Sequence, residues 1–121
     1  MAKKILVIDD SQSIRELITM VLENAGYRVD CAIDGQDALK HFDGRDFNLV
    51  ITDLSMPNMD GISLLKKVRA MEQYRSVPVL VLTTESQNAV KEEAKLAGAT
   101  GWVIKPFVAN KLLSVINKVI K

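Results

Sequence analysis

The sequence lacks most features of a secreted, membrane-bound or nucleic-acid-binding protein. Its single cysteine, Cys31, has no internal partner for a disulfide, which favours a reducing compartment. No stretch approaches the roughly 20 apolar residues of a membrane-spanning helix, and the apolar run after Lys3 and Lys4 is too short for a signal peptide. The 16 basic and 15 acidic residues form no long run of either sign. These absences predict a cytoplasmic protein with no membrane or nucleic-acid partner.

The features that are present are typical of one ordinary globular domain. At 121 residues, the chain is most simply a single domain over 1–121. A domain of this size buries roughly two-thirds of its unfolded surface, so it needs no disulfide or metal to fold. The chain shows no internal repeat, low-complexity tract or linker, and its last helical pattern ends at Lys121. We therefore expect no attached output domain.

Short apolar runs alternate along the chain with apolar residues at helical spacing. The predicted strands are 5–8, 28–32, 49–53, 77–83 and 101–105, and the predicted helices are 13–25, about 38–42, 64–71, 87–97 and 112–120. Ser13 and Glu16 fit a capping box at the start of the first helix. The alternation predicts an α/β fold with a five-stranded parallel sheet, helices on both faces and right-handed crossovers.

Polar residues follow or end four of these strands. They are Asp9 and Asp10 after the first strand, Asp53 in the third, Thr83 in the fourth and Lys105 in the fifth. Each has a structural explanation when taken alone, such as an aspartate that complements the positive end of a helix. However, the carboxyl ends of parallel strands meet at one edge, where open α/β sheets bind ligands. The coincidence therefore favours a shared site.

The residue types at this edge suit a divalent cation and a phosphoryl group. Asp9, Asp10 and Asp53 would repel one another unless a cation intervened, and Mg²⁺ prefers such hard oxygen ligands. Asp53 would be the nucleophile toward a phosphoryl donor, because it ends a strand in the rigid interior of the sheet. Thr83 and Lys105 would then bind the phosphoryl oxygens.

Over its whole length, the chain resembles the receiver domain of two-component response regulators. The matching residues are Asp9-Asp10, Asp53 with Met56-Pro57 and Asp60-Gly61 after it, Thr83, and Lys105-Pro106-Phe107. The resemblance implies a flavodoxin-like (βα)5 fold, doubly wound, with strand order 2-1-3-4-5. It also implies a cis peptide bond between Lys105 and Pro106.

The resemblance implies that Asp53 accepts a phosphoryl group from a sensor histidine kinase. The protein would then be a signalling phosphoacceptor and not an enzyme, with Thr83 and Lys105 holding the phosphoryl oxygens. The implied ligands of Mg²⁺ are the side chains of Asp10 and Asp53, the backbone carbonyl of Ser55 and, through water, Asp9.

A conformational switch is also implied by the resemblance. In the family, phosphorylation draws the residue at the position of Thr83 inward, and an aromatic residue on the fifth strand fills the vacated space. Here that aromatic residue is Trp102, a tryptophan where the family usually has tyrosine or phenylalanine. Ser55 and Glu85 occupy the two positions that tune the lifetime of the acyl phosphate by controlling water access.

Among receivers, the chain resembles most the single-domain chemotaxis regulators of the CheY type. The matching run is Ala-Gly-Ala-Thr-Gly-Trp-Val-Ile-Lys-Pro-Phe at 97–107. This implies a monomer that receives phosphate from a chemotaxis kinase and binds a flagellar motor switch protein, with a possible phosphatase as a further partner.

Other functions stay open at this point. The chain is alternatively a phosphorelay intermediate or a phosphate sink that does not bind the motor. A phosphatase of the haloacid dehalogenase type is disfavoured, because Ser55 stands where such enzymes have their second aspartate. Nucleotide or flavin binding is disfavoured because no glycine-rich loop follows the first strand.

Overall fold

Strands and helices alternate throughout the computed structural model, which describes residues 2–84 and 88–120. The strands are β1 (Lys4–Ile8), β2 (Arg28–Ala32), β3 (Leu49–Asp53), β4 (Val79–Thr83) and β5 (Gly101–Ile104). The helices are α1 (Gln12–Asn24), α2 (Gly35–Leu39), α3 (Gly61–Ala70), α4 (Asn88–Ala97) and α5 (Ala109–Val119), with a short 3₁₀ helix at Glu72–Tyr74. None of the helices described is both long and apolar enough to cross a membrane.

All five strands are parallel and lie in the order β2-β1-β3-β4-β5, which confirms the predicted topology. Ile8 lies opposite Thr52, and Asp53 lies opposite Leu82. Because neighbouring strands end at nearly the same level, the polar residues that follow them are brought to one edge of the sheet. The cis peptide bond between Lys105 and Pro106 is present as well.

Two apolar cores, one on each face of the sheet, hold the helices in place. Helices α1 and α5 pack on one face, and α2, α3 and α4 contribute to the other. Successive residues of β1 alternate between the two cores, as the pleat of a strand buried on both faces requires. Full burial stabilises by roughly 1.5–3 kcal/mol for each large aliphatic side chain. The apolar sheet thus provides the rigid base on which the polar edge stands.

The predicted capping box at the start of the first helix is wrong. Helix α1 begins at Gln12, and Ser11 is its N-cap, with a hydroxyl that accepts a hydrogen bond from the Ile14 backbone N–H at 3.3 Å. The Glu16 side chain instead accepts a hydrogen bond from the Gln12 side chain at 3.0 Å. Ser11 has the extended backbone that an N-cap needs, whereas Ser13 already lies inside the helix.

Gly61 begins α3 directly beneath the end of β3. Its backbone N–H donates to the Leu54 carbonyl at 2.9 Å. A Cβ atom at this position would collide with the Asp53 carbonyl oxygen and would lie 2.8 Å from the Leu54 Cα. Glycine is therefore required here because two backbone segments approach closely.

Replacement of Gly61 by alanine should destabilise the protein. The added methyl group meets backbone atoms that cannot turn aside, so we expect the free energy of unfolding to fall by about 1–3 kcal/mol. Urea unfolding followed by circular dichroism measures the change. Ser63→Ala, at an exposed position of the same helix, is the control and should stay within about 0.5 kcal/mol of the wild type. Equal stability of the two variants would contradict the close approach.

Candidate functional site

Three aspartates gather at the carboxyl edge of the sheet. Oxygen atoms of Asp9, Asp10 and Asp53 all lie within 4.8 Å of one another. Asp9 is fully buried, Asp53 is 7% exposed and Asp10 is exposed to solvent. The sequence prediction that β1 and β3 bring these carboxylates together is therefore correct in its geometry.

Lys105 lies between two of these carboxylates. Its Nζ atom donates to Asp9 Oδ2 at 3.0 Å and lies 3.4 Å from Asp53 Oδ2. The Lys105 side chain is only 17% exposed, so water screens these pairs weakly. Its backbone N–H also donates to the Thr83 carbonyl at 2.8 Å, which ties the end of β5 to the end of β4.

Backbone and side-chain donors hold the two buried aspartates in place. The Ser11 backbone N–H donates to Asp9 Oδ1 at 2.9 Å, and Arg15 Nη1 donates to the Asp9 carbonyl oxygen at 2.7 Å. The Ser55 backbone N–H lies 3.5 Å from Asp53 Oδ1. Arg15 was not anticipated from the sequence; its position one turn after Ser11 was the available signal.

The electrostatics of the site follow from burial and from these short distances. Burial raises the pKa of the Asp53 carboxyl above its ordinary value; the Asp9 charge adds to this effect, whereas Lys105 opposes it. Burial alone would lower the pKa of Lys105, but its hydrogen bond to Asp9 and the charge of Asp53 raise it overall. The lysine therefore stays protonated and is held between the two carboxylates.

The donor set fits Mg²⁺. With its carboxylates ionised, the cluster holds three negative charges, and Lys105 supplies one positive charge within hydrogen-bonding distance. The remaining negative charge and the exposed Asp10 oxygen atoms suit a small divalent cation, which prefers carboxylate oxygens and retains several waters. An alkali ion or a second lysine carries only one positive charge, so either would neutralise the cluster less completely than a small divalent cation.

Two further predicted residues lie at or near this edge, on β4 and β5. Thr83 ends β4 and is 7% exposed. Trp102 lies on the edge strand β5 and is 37% exposed. Lys91 on α4 places its Nζ atom 5.3 Å from the centroid of this ring, within the range of a cation–π contact. No sequence signal pointed to this contact, because it joins two elements through their side chains alone.

Two predicted residues remain, Ser55 and Glu85, and the structure describes only the first of them. Ser55 is exposed and lies in the loop that follows Asp53, where its backbone is close to the carboxylate cluster. Glu85 lies outside the described residues, so its expected part in acyl-phosphate lifetime stays a prediction.

The chain matches the family model of the response regulator receiver domain over residues 5–117. It is 38% identical over 117 residues to the chemotaxis protein CheY-3 of Vibrio cholerae, covering 96% of this chain and 90% of that protein. The solved structure of V. cholerae CheY4 has a TM-score of 0.96 at 42% identity, covering 99% of this chain and 100% of the other.

A magnesium-containing structure is also similar. The response regulator TrrA of Thermotoga maritima, solved in complex with Mg²⁺ and BeF, has a TM-score of 0.86 at 32% identity. The match covers 98% of this chain and 99% of TrrA. These comparisons extend over nearly the whole chain, so they include every residue of the carboxylate cluster.

The raised pKa of Asp53 gives a prediction about stability. Because the folded state holds this carboxylate less favourably than the unfolded state, its ionisation destabilises the metal-free protein at neutral pH. Asp53→Asn should therefore increase the free energy of unfolding at pH 7, by roughly 0.5–2 kcal/mol. The gain should shrink as the pH falls from above the raised pKa to below the ordinary aspartate value near 4.

Urea unfolding at several pH values, with a chelator present, measures this difference. Addition of Mg²⁺ should stabilise the wild type more than the variant and so reduce the gap between them. Glu93→Gln, at an exposed site on α4 outside the cluster, is the control for loss of one negative charge. A metal-free Asp53→Asn protein less stable than the wild type at pH 7 would contradict the prediction.

Proposed function

The chain belongs to the response regulator receiver domain family, and we propose that Asp53 is its phosphoacceptor in two-component signalling. The donor is a sensor histidine kinase, and the protein acts in the cytoplasm through its receiver domain. One observation carries this proposal: a nearly buried Asp53 lies 3.4 Å from the Lys105 ammonium, beside two more aspartates.

In the proposed transfer, a carboxylate oxygen of Asp53 forms a bond to phosphorus. The bond between phosphorus and the donor histidine nitrogen breaks at the same centre, and the nitrogen keeps the electron pair. Lys105 would stay within reach of the phosphoryl oxygens, because its Nζ atom already lies near Asp53 Oδ2. The Thr83 hydroxyl would donate to another of them. Positioning and neutralised charge are the main requirements of such a transfer.

The proposed magnesium ligands are the side chains of Asp10 and Asp53 and the backbone carbonyl of Ser55, with Asp9 acting through water. Their carboxylates lie close enough to share one ion. When bound, the cation would neutralise charge on the transferring phosphoryl group. The similarity to TrrA, whose structure contains Mg²⁺ and BeF, supports this assignment.

The output that we propose is a phosphorylation-dependent protein contact in chemotaxis, with a flagellar motor switch protein as the target. Similarity to chemotaxis proteins over 96% of the chain supports it. In the proposed switch, Thr83 moves toward the phosphoryl group and Trp102 turns inward. Ser55 would help to set the lifetime of the acyl phosphate, with Glu85 as the second lifetime residue. A phosphorelay or phosphate-sink function is the second candidate, since it uses the same site.

Loss of the Asp53 carboxylate should abolish phosphorylation. Asp53→Asn incubated with Mg²⁺ and ³²P-labelled acetyl phosphate should incorporate no label, because an amide oxygen does not form the acyl phosphate. Asp43→Asn, which removes an exposed carboxylate elsewhere, should be labelled like the wild type. Labelling of Asp53→Asn at the wild-type level would show that another residue is the acceptor.

The Lys105 ammonium should be needed for phosphorylation to change Trp102 and the binding of a partner protein. In the wild type, Mg²⁺ and beryllofluoride should change the fluorescence of Trp102, the one tryptophan of the chain. They should also tighten binding of an amino-terminal motor switch peptide by about 5–150-fold. Lys105→Ala should still be phosphorylated but lose most of this gain, whereas the exposed Lys67→Ala should keep it.

Unchanged coupling in Lys105→Ala would contradict its function in the switch. A Trp102 signal in the wild type without any peptide binding would instead favour the phosphorelay or sink candidate, because activation would then occur without a motor contact.

A further inference from the structure

The loop between β3 and α3, residues 54–60, is connected at its tip to the segment between β2 and α2. Asn58 Nδ2 donates a hydrogen bond to Asp34 Oδ2 at 2.9 Å. Asp34 is 8% exposed whereas Asn58 is exposed, so the bond is only partly shielded from water. The two residues are 24 positions apart in the sequence, and neither belongs to the carboxylate cluster.

Asp34 is itself held firmly. It is the N-cap of α2, and its Oδ1 atom accepts a hydrogen bond from the Asp37 backbone N–H at 2.8 Å. The pKa of the Asp34 carboxyl lies below its usual range, because the Asp37 N–H and the Asn58 amide both donate to it. Asp34 is therefore an ionised acceptor that joins a helix terminus to a loop.

A second contact, between Met59 and Gly35, holds the tip of the loop against the start of α2. A Cβ atom at Gly35 would lie 2.8 Å from Met59 Cβ and 2.9 Å from the Met59 carbonyl oxygen, so the tip of the loop rests on the start of α2. Asn58 has a φ of 69°, in the left-handed region, which asparagine adopts more readily than most residues other than glycine.

The other end of this loop leads to the carboxylate cluster. The Leu54 backbone N–H donates to the Leu82 carbonyl of β4 at 3.2 Å, and the Gly61 N–H donates to the Leu54 carbonyl at 2.9 Å, so the two ends of the loop are fixed to β4 and to each other. Ser55 lies between the fixed Leu54 and the braced Asn58. The Ser55 carbonyl therefore lies in a stretch of loop that is held on both sides.

We propose that Asp34 is a positioning residue for the magnesium site, which holds Asn58 and thereby fixes the loop that presents the Ser55 carbonyl to the metal. This inference rests on the proposed function, because it requires Mg²⁺ at the carboxylate cluster. Residues that orient metal ligands from outside typically change metal affinity by 10–100-fold when they are lost.

An exchange of the two side chains tests the proposal. Asn58→Asp places two carboxylates face to face, so the brace should open and the affinity for Mg²⁺ should fall about 10-fold. The added negative charge alone would instead raise the affinity for a cation, so the sign of the change separates the two effects. Aspartate also tolerates the positive φ of this position.

The double variant Asp34→Asn/Asn58→Asp should restore the affinity. The amide introduced at position 34 would donate from its Nδ2 atom to the carboxylate introduced at position 58, while its Oδ1 atom still caps α2. The net charge equals that of the wild type. We expect an affinity for Mg²⁺ within about 3-fold of the wild type, because the amide-to-carboxylate hydrogen bond is restored with donor and acceptor exchanged. Asn58→Gly, which keeps the backbone conformation without the side chain, should bind more weakly than the wild type.

Mg²⁺ titrations followed by amide NMR measure these affinities, and urea unfolding without metal shows that each variant is folded. An unchanged affinity for Mg²⁺ in both Asn58→Asp and Asn58→Gly would overturn this inference and leave the proposed magnesium site intact. Failure of the double variant to recover would overturn it too, because the loss would then belong to position 58 itself. A wild-type chain that binds no Mg²⁺ would overturn the proposed magnesium site together with this inference.

Discussion

The proximity of three like charges at the end of an apolar sheet is the constraint on which the rest of the molecule depends. Parallel register brings Asp9, Asp10 and Asp53 within 4.8 Å of one another, and Lys105 alone lies within salt-bridge distance of two of them among the described residues. One ammonium does not balance three carboxylates, so the net negative charge of this edge favours a divalent cation. The close approach of the three carboxylates therefore explains both their mutual repulsion and the suitability of this edge for a metal ion.

Stability and function are separated in space in this fold. Two apolar cores, which pack α1 and α5 on one face and α2 to α4 on the other, make the sheet rigid. The polar edge can then keep a carboxylate such as Asp53, whose raised pKa shows that burial disfavours its charge. Functional sites commonly hold such unfavourable groups where a stable scaffold tolerates them. The carboxylate cluster lies at the carboxyl ends of β1 and β3, and the parallel pairing of these strands keeps it together.

The alternating apolar pattern and the strand-end residues were enough to predict the α/β fold and the composition of the cluster, because both follow from local periodicity and parallel geometry. The strand order needed the family resemblance. The exact helix start was missed, since both Ser11 and Ser13 are good caps and backbone geometry chooses between them. The contacts of Asp34 with Asn58 and of Lys91 with Trp102 join distant segments through side chains, so no local pattern announces them.

The contact between Lys91 and Trp102 limits how the proposed switch can work. A cation–π contact at an exposed site contributes about 0.5–1 kcal/mol, whereas allosteric coupling typically amounts to 1–3 kcal/mol. The contact therefore favours the present position of the indole without locking it there, and coupling of the typical size would be enough to overcome it. The Lys105 backbone N–H donates to the Thr83 carbonyl and so connects the end of β5 to the end of β4. In the proposed switch, a shift of β4 toward a phosphoryl group on Asp53 would therefore act directly on β5, the strand that carries Trp102. A bias of this size keeps the resting state populated and leaves the switch responsive.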